Sequence, residues 1–112
     1  MPPRDLTYLV DILEAARLVQ TFVTGVDKET FFDDLMRQSA VARQIEIIGE
    51  ASKRLSAEFR ARHADIPWRQ MAGMRDILIH AYNHVDLDEV WRTATIAIPA
   101  LIEHIEPLVP PK

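Results

Sequence analysis

The sequence predicts an all-α protein, an up-and-down bundle of four main helices with room for one further short helix. Apolar residues recur every three or four positions through most of the 112 residues, which is the helical period. Capping and turn residues divide this pattern into segments. No repeat, long linker or low-complexity stretch interrupts it, so we expect a single domain over residues 1–112 with one modest core.

The first predicted helix runs from Asp5 to about Thr24. Gly25 is a natural stop, because glycine readily adopts the left-handed backbone at a helix end. Asp27 is a natural N-cap for the helix that follows. The apolar positions of the first helix are spaced by three and four: Leu6, Leu9, Val10, Leu13, Ala16, Val19 and Val23.

The second periodic region, Lys28 to about Ala61, is long for one helix of a globular protein. We expect it to bend or break between Arg37 and Ala40, where polar residues interrupt the apolar pattern. Gly49 lies within the stripe beyond that point and predicts a close helix crossing, since glycine costs roughly 1 kcal/mol of helix propensity relative to alanine. The stripe consists of Val41, Ile45, Ile48, Ala51, Leu55 and Phe59.

Residues 63–66 read as a loop, and Pro67 suits the first turn of a new helix because its missing N–H has no partner there. We expect a short turn at residues 72–73 and then a helix that ends near His84. Asp86 followed by Glu89 resembles a capping box and begins the last helix.

The last helix contains Pro99, which predicts a kink because proline cannot donate a hydrogen bond back to Thr95. Its apolar residues occupy more than one stripe, with Ile96 and Ile102 outside the main one. Such a helix either carries a self-association surface or is deeply inserted in the bundle.

Composition excludes several classes of protein. No run approaches the ~20 apolar residues that cross a bilayer, and the N-terminus lacks a secretion signal, so we expect a soluble cytoplasmic protein. The absence of cysteine excludes disulfides, zinc-thiolate sites and thiol nucleophiles.

The segment richest in chemical groups is residues 74–86, M-R-D-I-L-I-H-A-Y-N-H-V-D. On an ideal helix Arg75 and Tyr82 fall on nearly one line, and Asp76, His80 and His84 fall on another. Arg75 and His80 are ~140° apart around the axis, so one regular helix cannot easily bring them together. Either the helix is distorted or two copies of the chain contribute to one cleft, which an isologous homodimer achieves.

Arginine and histidine suit the cleavage of a phosphodiester. The guanidinium binds phosphate oxygens bidentately, and histidine can move the proton of a ribose 2′-hydroxyl near neutral pH. On residue types alone, structural hydrogen bonds by Arg75 and His80 are the commoner explanation. A metal bound between His80 and His84 would need a further ligand that the sequence does not supply, so no metal or cofactor is expected.

Charge is distributed unevenly along the chain. The net charge is −4, but residues 53–75 hold six basic and two acidic residues, a local charge of +4. This basic segment (residues 53–75) runs directly into Arg75. It is either a solvated helix face or an electropositive approach to the motif.

The spelling R-x-x-x-x-H-x-Y, here Arg75, His80 and Tyr82, resembles the signature of HepT-type HEPN-domain toxins. Y-L-V-D-I-L-E-A-A from Tyr8, R-Q-I-E-I-I-G-E-A-S-K-R-L from Arg43 and residues 66–80 extend the resemblance over about the whole chain. The resemblance implies a homodimeric, metal-independent endoribonuclease toxin of a type VII-like toxin-antitoxin pair, which acts on RNA and not on DNA. Arg75 and His80 would be its active-site residues.

The resemblance also implies a partner, a minimal nucleotidyltransferase antitoxin of the MntA type that adds AMP to Tyr82. AMP there would place bulk and negative charge along the Arg75 line and block RNA. Many relatives carry asparagine where this chain has Asp76. That carboxylate could hold His80 and favour its charged form, which is our hypothesis, or it could repel phosphate.

Two further interpretations stay open at the level of the sequence. Glu50 either accepts a hydrogen bond from the motif helix in a supporting role or is a plain surface glutamate. The whole chain could alternatively be a non-catalytic HEPN dimer that serves as the binding partner or nucleotide-binding subunit of a nucleotidyltransferase.

Overall fold

The computed structural model describes residues 3–74 and 86–111, and the regular structure in these ranges is entirely helical. The predicted all-α bundle is therefore confirmed. No helix within these ranges is long and apolar enough to cross a membrane. The elements are α1 (Pro3–Val23), α2 (Lys28–Phe32), α3 (Leu35–Arg54), α4 (Ala57–Arg62), α5 (described over 68–74), α6 (Leu87–Arg92), a π turn (Thr93–Ala97), α7 (Ile98–Ile105) and a 3₁₀ turn (Glu106–Leu108).

The core is built mainly by α1 and α3, which pack along most of their lengths, and α7 packs against α1. The helical period explains this arrangement, since each helix turns one apolar stripe inward. Every residue of the stripe predicted in the second region is buried, and Gly49 is buried among them. Side chains with no solvent exposure include Leu9, Ile12, Val19, Val41, Ile45, Ile48, Ile98 and Ile105.

The junction between α1 and α2 follows the sequence prediction. Gly25 has φ +76°, in the left-handed region that favours glycine. The Asp27 carboxylate then accepts a hydrogen bond from the backbone N–H of Thr30 at 2.8 Å. This bond favours the ionised carboxylate and lowers the pKa of Asp27. The predicted stop and the predicted cap are both confirmed.

The predicted break between Arg37 and Ala40 is wrong, because the chain breaks earlier, at Asp33 and Asp34. Asp34 is the N-cap of α3 and accepts from the backbone N–H of Arg37 at 3.0 Å. Gln38 donates to the carbonyl oxygens of Phe31 and Phe32 at 2.9 and 3.0 Å. The polar residues that interrupt the apolar pattern therefore satisfy backbone groups of a break that lies upstream of them.

A second break, absent from the prediction, separates α3 from α4 at Leu55 and Ser56. Ser56 is the N-cap of α4, and its hydroxyl accepts from the backbone N–H of Phe59 at 3.1 Å. The hydroxyl itself donates to Asp5 at 2.7 Å, and the Ser56 N–H donates to the same carboxylate at 2.9 Å. Asp5 is only 2% exposed, so these bonds satisfy a buried charge.

The loop over residues 63–66 and the new helix after it are confirmed. The carbonyl oxygen of Pro67 accepts from the N–H of Met71 at 3.1 Å, which places the proline at the start of α5. The turn predicted at residues 72–73 is wrong, since both positions are helical. The buried side chains of Met71 and Met74 flank them and hold this stretch of α5 against the core, which offsets the weak helix propensity of Gly73.

The C-terminal helix begins as predicted, because Asp86 accepts from the backbone N–H of Glu89 at 3.1 Å. A π turn ends two residues before Pro99, and in it the N–H of Ile98 donates to the carbonyl oxygen of Thr93. Ile96, within this turn, is 66% exposed, whereas Ile102 packs partly against the core.

Candidate functional site

The predicted site residues Arg75, Asp76, His80 and Tyr82 lie outside the described residues. The structure describes the chain on both sides of them. Helix α5 is described up to residue 74, directly before Arg75, and the chain is described again from Asp86, the cap of α6. The structure therefore describes the residues immediately before the motif and immediately after it.

Helix α5, which precedes the motif, is fixed to the bundle by aromatic packing. The indole N–H of Trp68, at the start of α5, donates to the carbonyl oxygen of His63 at 2.9 Å. The Trp68 ring packs edge-on against Phe59 of α4, with ring centres 6.0 Å apart. Since Met71 and Met74 are buried beyond it, α5 is held to the core along the residues that precede Arg75.

Glu50 lies on α3 between two buried residues, Gly49 and Ala51, and is itself half-buried. A carboxylate in such a position sits at the edge of a helix face that is turned into the protein. Its supporting role toward the motif stays a prediction.

The histidines outside the motif differ from each other. His104 is exposed on α7. His63 is half-buried, and its ring packs on Phe59 with centres 4.6 Å apart. Within residues 3–74 and 86–111, no three His, Asp or Glu side chains are grouped as metal ligands would be. His80 and His84 fall outside those ranges.

The basic segment carries exposed cations on the helices that precede the motif. Lys53 and Arg54 are exposed at the end of α3, and Arg69 is exposed in the first turn of α5. None of these three forms an ion pair with a described residue, whereas Arg62 pairs with Glu58 at 3.0 Å. Arg60 is half-buried, and its Nε atom has no hydrogen-bond partner in the part of the chain that the structure describes.

Sequence reasoning missed one cation of this region, Arg4. It is exposed in the first turn of α1, and the neighbouring Asp5 is bonded to Ser56 at the α3–α4 junction. The fold thus brings the start of α1, which carries Arg4, to the α3–α4 junction that directly follows Lys53 and Arg54. In the sequence, the one hint of this contact is Asp5, an acidic residue in the first turn of an amphipathic helix. Such residues usually only complement the helix dipole.

Comparison with known proteins decides the family. The family model described as Ribonuclease HepT-like matches residues 12–108, which include Glu50 and the whole motif. The chain belongs to the HepT-like ribonuclease family. The family predicted from the R-x-x-x-x-H-x-Y spacing is therefore confirmed, and with it the assignment of the chain to ribonucleases.

Relatives in this HepT-like family are similar over most of the chain. A protein of Thermococcus cleftensis named "Probable ribonuclease HepT" is 48% identical over 101 residues, covering 90% of this chain and 92% of the relative. A protein of Caldanaerobacter subterraneus whose name proposes an RNase is 39% identical over 102 residues, covering 91% of each chain.

A third HepT-like relative is longer. It comes from Methanocaldococcus jannaschii, and its name combines gamma-glutamylcyclotransferase with a proposed RNase. It is 45% identical over 98 residues, which cover 88% of this chain but 44% of the relative. No solved structure matches the chain.

Proposed function

We propose that this chain is a metal-independent endoribonuclease toxin that cleaves RNA with Arg75 and His80. The observation that carries the proposal is the spacing of Arg75, His80 and Tyr82 within the region matched by the HepT-like ribonuclease model. The motif directly follows a helix that is anchored in the core through Trp68 and Met74, which is the support that a precise site requires.

Chemically, the proposed reaction needs no group beyond the motif. His80 accepts the proton of a ribose 2′-hydroxyl, and the 2′-oxygen attacks the adjacent phosphorus. Arg75 binds the non-bridging phosphate oxygens, where negative charge builds up in the transition state. His80 then gives that proton to the 5′-oxygen of the next nucleotide as the bond between this oxygen and phosphorus breaks, so the products carry a 2′,3′-cyclic phosphate and a 5′-hydroxyl.

We propose that a homodimer forms the active cleft. Arg75 and His80 are five residues apart, a spacing that sets them ~140° apart on an ideal helix. An isologous dimer places the arginine of one copy near the histidine of the other without any further sequence feature. The exposed Ile96 of the C-terminal helix is available for such an interface.

The proposed control of the enzyme acts at Tyr82. A nucleotidyltransferase antitoxin of the MntA type would transfer AMP to its hydroxyl, adding a phosphate and a base beside Arg75. The phosphate would occupy the guanidinium that otherwise binds RNA. The toxin would act in the cytoplasm, where its RNA substrate and its partner are found.

The test compares the wild type with Arg75→Ala and His80→Ala. Arg43→Ala and His104→Ala are matched controls, since both residues are exposed and lie outside the motif. Growth is scored on expression, and total RNA is then incubated with each purified protein in the presence of a chelator. We expect cleavage and growth arrest by the wild type and both controls, and neither by the motif variants.

The termini of the RNA products test the chemistry separately. A 2′,3′-cyclic phosphate supports internal attack, whereas a 3′-hydroxyl would contradict it. If neither the wild type nor the controls cut RNA, the enzyme assignment fails and the chain is a non-catalytic partner of a nucleotidyltransferase. Tyr82→Phe, incubated with ATP and the partner enzyme, should accept no AMP.

The role of Asp76 is tested by Asp76→Asn. If the carboxylate holds His80 in its charged form, the variant shifts the pH–rate profile toward lower pH, because the imidazole then loses its proton more easily. An unmoved profile would remove Asp76 from the site.

A further inference from the structure

We propose that the surface formed by Arg4, Lys53, Arg54, Arg60 and Arg69, hereafter the basic face, binds the phosphate backbone of RNA beside the motif. The inference rests on the proposed ribonuclease function for the identity of the ligand. It extends the substrate site from the motif residues to cations on four different helices. Because phosphate contacts carry no sequence information, the basic face would position RNA and not select a sequence.

Contacts in the bundle place these cations at one end of the described fold. Asp5 of α1 accepts two hydrogen bonds from Ser56 at the α3–α4 junction. Phe59 of α4 packs against Trp68 of α5. Each of the cations is within three residues of one of these four contact residues, which places the five backbone positions near the α3–α4 junction.

The acidic residues near the junction are largely engaged. Asp5 is buried and bonded to Ser56, and Glu58 is paired with Arg62. Asp65 is the remaining acidic residue between Lys53 and Met74. Within residues 3–74 and 86–111, none of the five basic-face residues forms an ion pair with a carboxylate.

Basic residues elsewhere in the described ranges show the opposite pattern. Arg17 pairs with Glu106, Lys28 with Asp88, Arg37 with Asp34 and Arg43 with Glu46, each with a nitrogen-to-oxygen distance of 3.6 Å or less. Arg92 is the exception, since it has no such partner among the described residues. Among the described residues, four of the five cations away from the junction therefore pair with a carboxylate, whereas Arg62 alone does so among the six around it.

Arg60 is the one half-buried cation of the basic face. Its Nε atom, which is fully buried, has no hydrogen-bond partner in residues 3–74 and 86–111. A cation held partly out of water without an internal anion destabilises the folded protein. A phosphate at the remaining guanidinium nitrogens would neutralise that charge, as arginine commonly does at phosphodiesters.

The experiment measures binding of a 2′-O-methyl RNA oligonucleotide, which cannot be cleaved because it lacks the attacking hydroxyl. Affinity is determined over a range of salt concentrations for the wild type and for Lys53→Gln/Arg54→Gln/Arg69→Gln. The matched control is Arg17→Gln/Lys28→Gln/Arg43→Gln, which removes the same net charge from cations that already have carboxylate partners.

On single-stranded RNA each phosphate contact contributes about 0.7 to the slope of log affinity against log salt. We expect the basic-face variant to bind more weakly and its slope to be shallower by about 2. The control should keep a slope close to that of the wild type. Arg4→Gln alone should reduce the slope by about 0.7, which tests the position that only the fold assigns.

Equal slopes in the two triple variants would overturn the proposal, and so would a wild type that does not bind the oligonucleotide. A basic-face variant that loses self-association in sedimentation but keeps its RNA slope would identify the face as a protein interface, which also overturns it. Binding is measured without cleavage, so a failure of the proposed ribonuclease activity leaves this result readable on its own.

Discussion

The helices α3 and α4 begin in the same way but are held by different means. Asp34 and Ser56 each accept a hydrogen bond from the backbone N–H three residues on. Asp34 finds its partners within its own turn, in the N–H and side chain of Arg37. Ser56 is held by Asp5, 51 residues earlier in the chain. Among the described residues, Asp34 itself has partners only in its own turn, although Arg37 also donates to the carbonyl oxygen of Phe22 in α1. The cap of the second junction, Ser56, is itself bonded to α1.

This difference matters for function, because the second junction also carries the basic face. Ser56 caps α4, Phe59 of α4 packs on Trp68, and Trp68 begins the helix that leads to Arg75. The N-terminus of α1 is thereby connected through packed side chains to the entry of the motif. Disturbing Asp5 should have wider effects than disturbing Asp34.

The largest effect is expected for Asp5→Ala. The change removes two hydrogen bonds to a buried carboxylate and leaves the Ser56 N–H without its acceptor, a loss of about 3 kcal/mol in the free energy of unfolding. Asp5→Asn, which keeps the shape and one acceptor oxygen, should lose roughly half of that. Urea denaturation measures both, and a loss for Asp5→Ala no greater than for Asp34→Ala would contradict the comparison.

Ser56→Ala should come next, with a loss of about 2 kcal/mol, because it removes the cap of α4 and one donor to Asp5. A double-mutant cycle of Asp5→Ala and Ser56→Ala should show a coupling of about 1 kcal/mol. The pair Ser56→Ala and Asp34→Ala serves as the control and should be additive, since the two caps share no partner. Additivity in the first cycle would show that Asp5 does not hold the junction.

Asp34→Ala should cost roughly half as much as Ser56→Ala, since only a local cap is lost. Asparagine caps helices about as well as aspartate, so Asp34→Asn should be close to the wild type at neutral pH. Thermal unfolding of the two variants separates the cap from the charge. If Asp34→Asn is as unstable as Asp34→Ala, the ion pair with Arg37 and not the cap stabilises this junction.

The smallest effect concerns acid. Hydrogen bonds from the backbone N–H groups of Thr30 and Arg37 lower the pKa values of Asp27 and Asp34, respectively. A lowered folded-state pKa gives stability that is present above the unfolded pKa, about 4 for aspartate, and is lost as pH falls through the folded value. Asp27→Asn/Asp34→Asn should therefore lose less stability than the wild type on acidification below about pH 4. Identical acid dependence would contradict these assignments.

The features of the fold that the sequence predicts are those that depend on residues close together in the chain. Gly25, Asp27 and Asp86 act within three or four positions of themselves, and each ends or begins a helix as predicted. The break at Asp34 was placed too late because the polar residues after it are its hydrogen-bonding partners. The break at Ser56 has a local signal in the serine that caps α4, but its bonds to Asp5 depend on another helix.

The same distinction between local and long-range features applies to the candidate site. The motif is identified by the spacing of Arg75, His80 and Tyr82, and the basic segment by its composition, so both were available from the sequence. Arg4 was not, since only the hydrogen bonds between Asp5 and Ser56 bring it to that region. Which basic residues lack a carboxylate partner likewise depends on the folded arrangement.

The π turn at Thr93–Ala97 changes the spacing at which residues of the last helix share a face. A turn that closes five residues on holds one residue more than an α-helical turn, so side chains before and after it keep a common direction that an ideal helix would lose. Val90, Ala94 and Ile98 are all buried at successive steps of four, a spacing that drifts by ~40° per step on a regular helix. Deleting one residue here would therefore leave a regular α-helical turn and keep the orientation of α6 relative to α7. In a relative, a one-residue gap at this position would mark a last helix that lacks the π turn and turns the same face to the core.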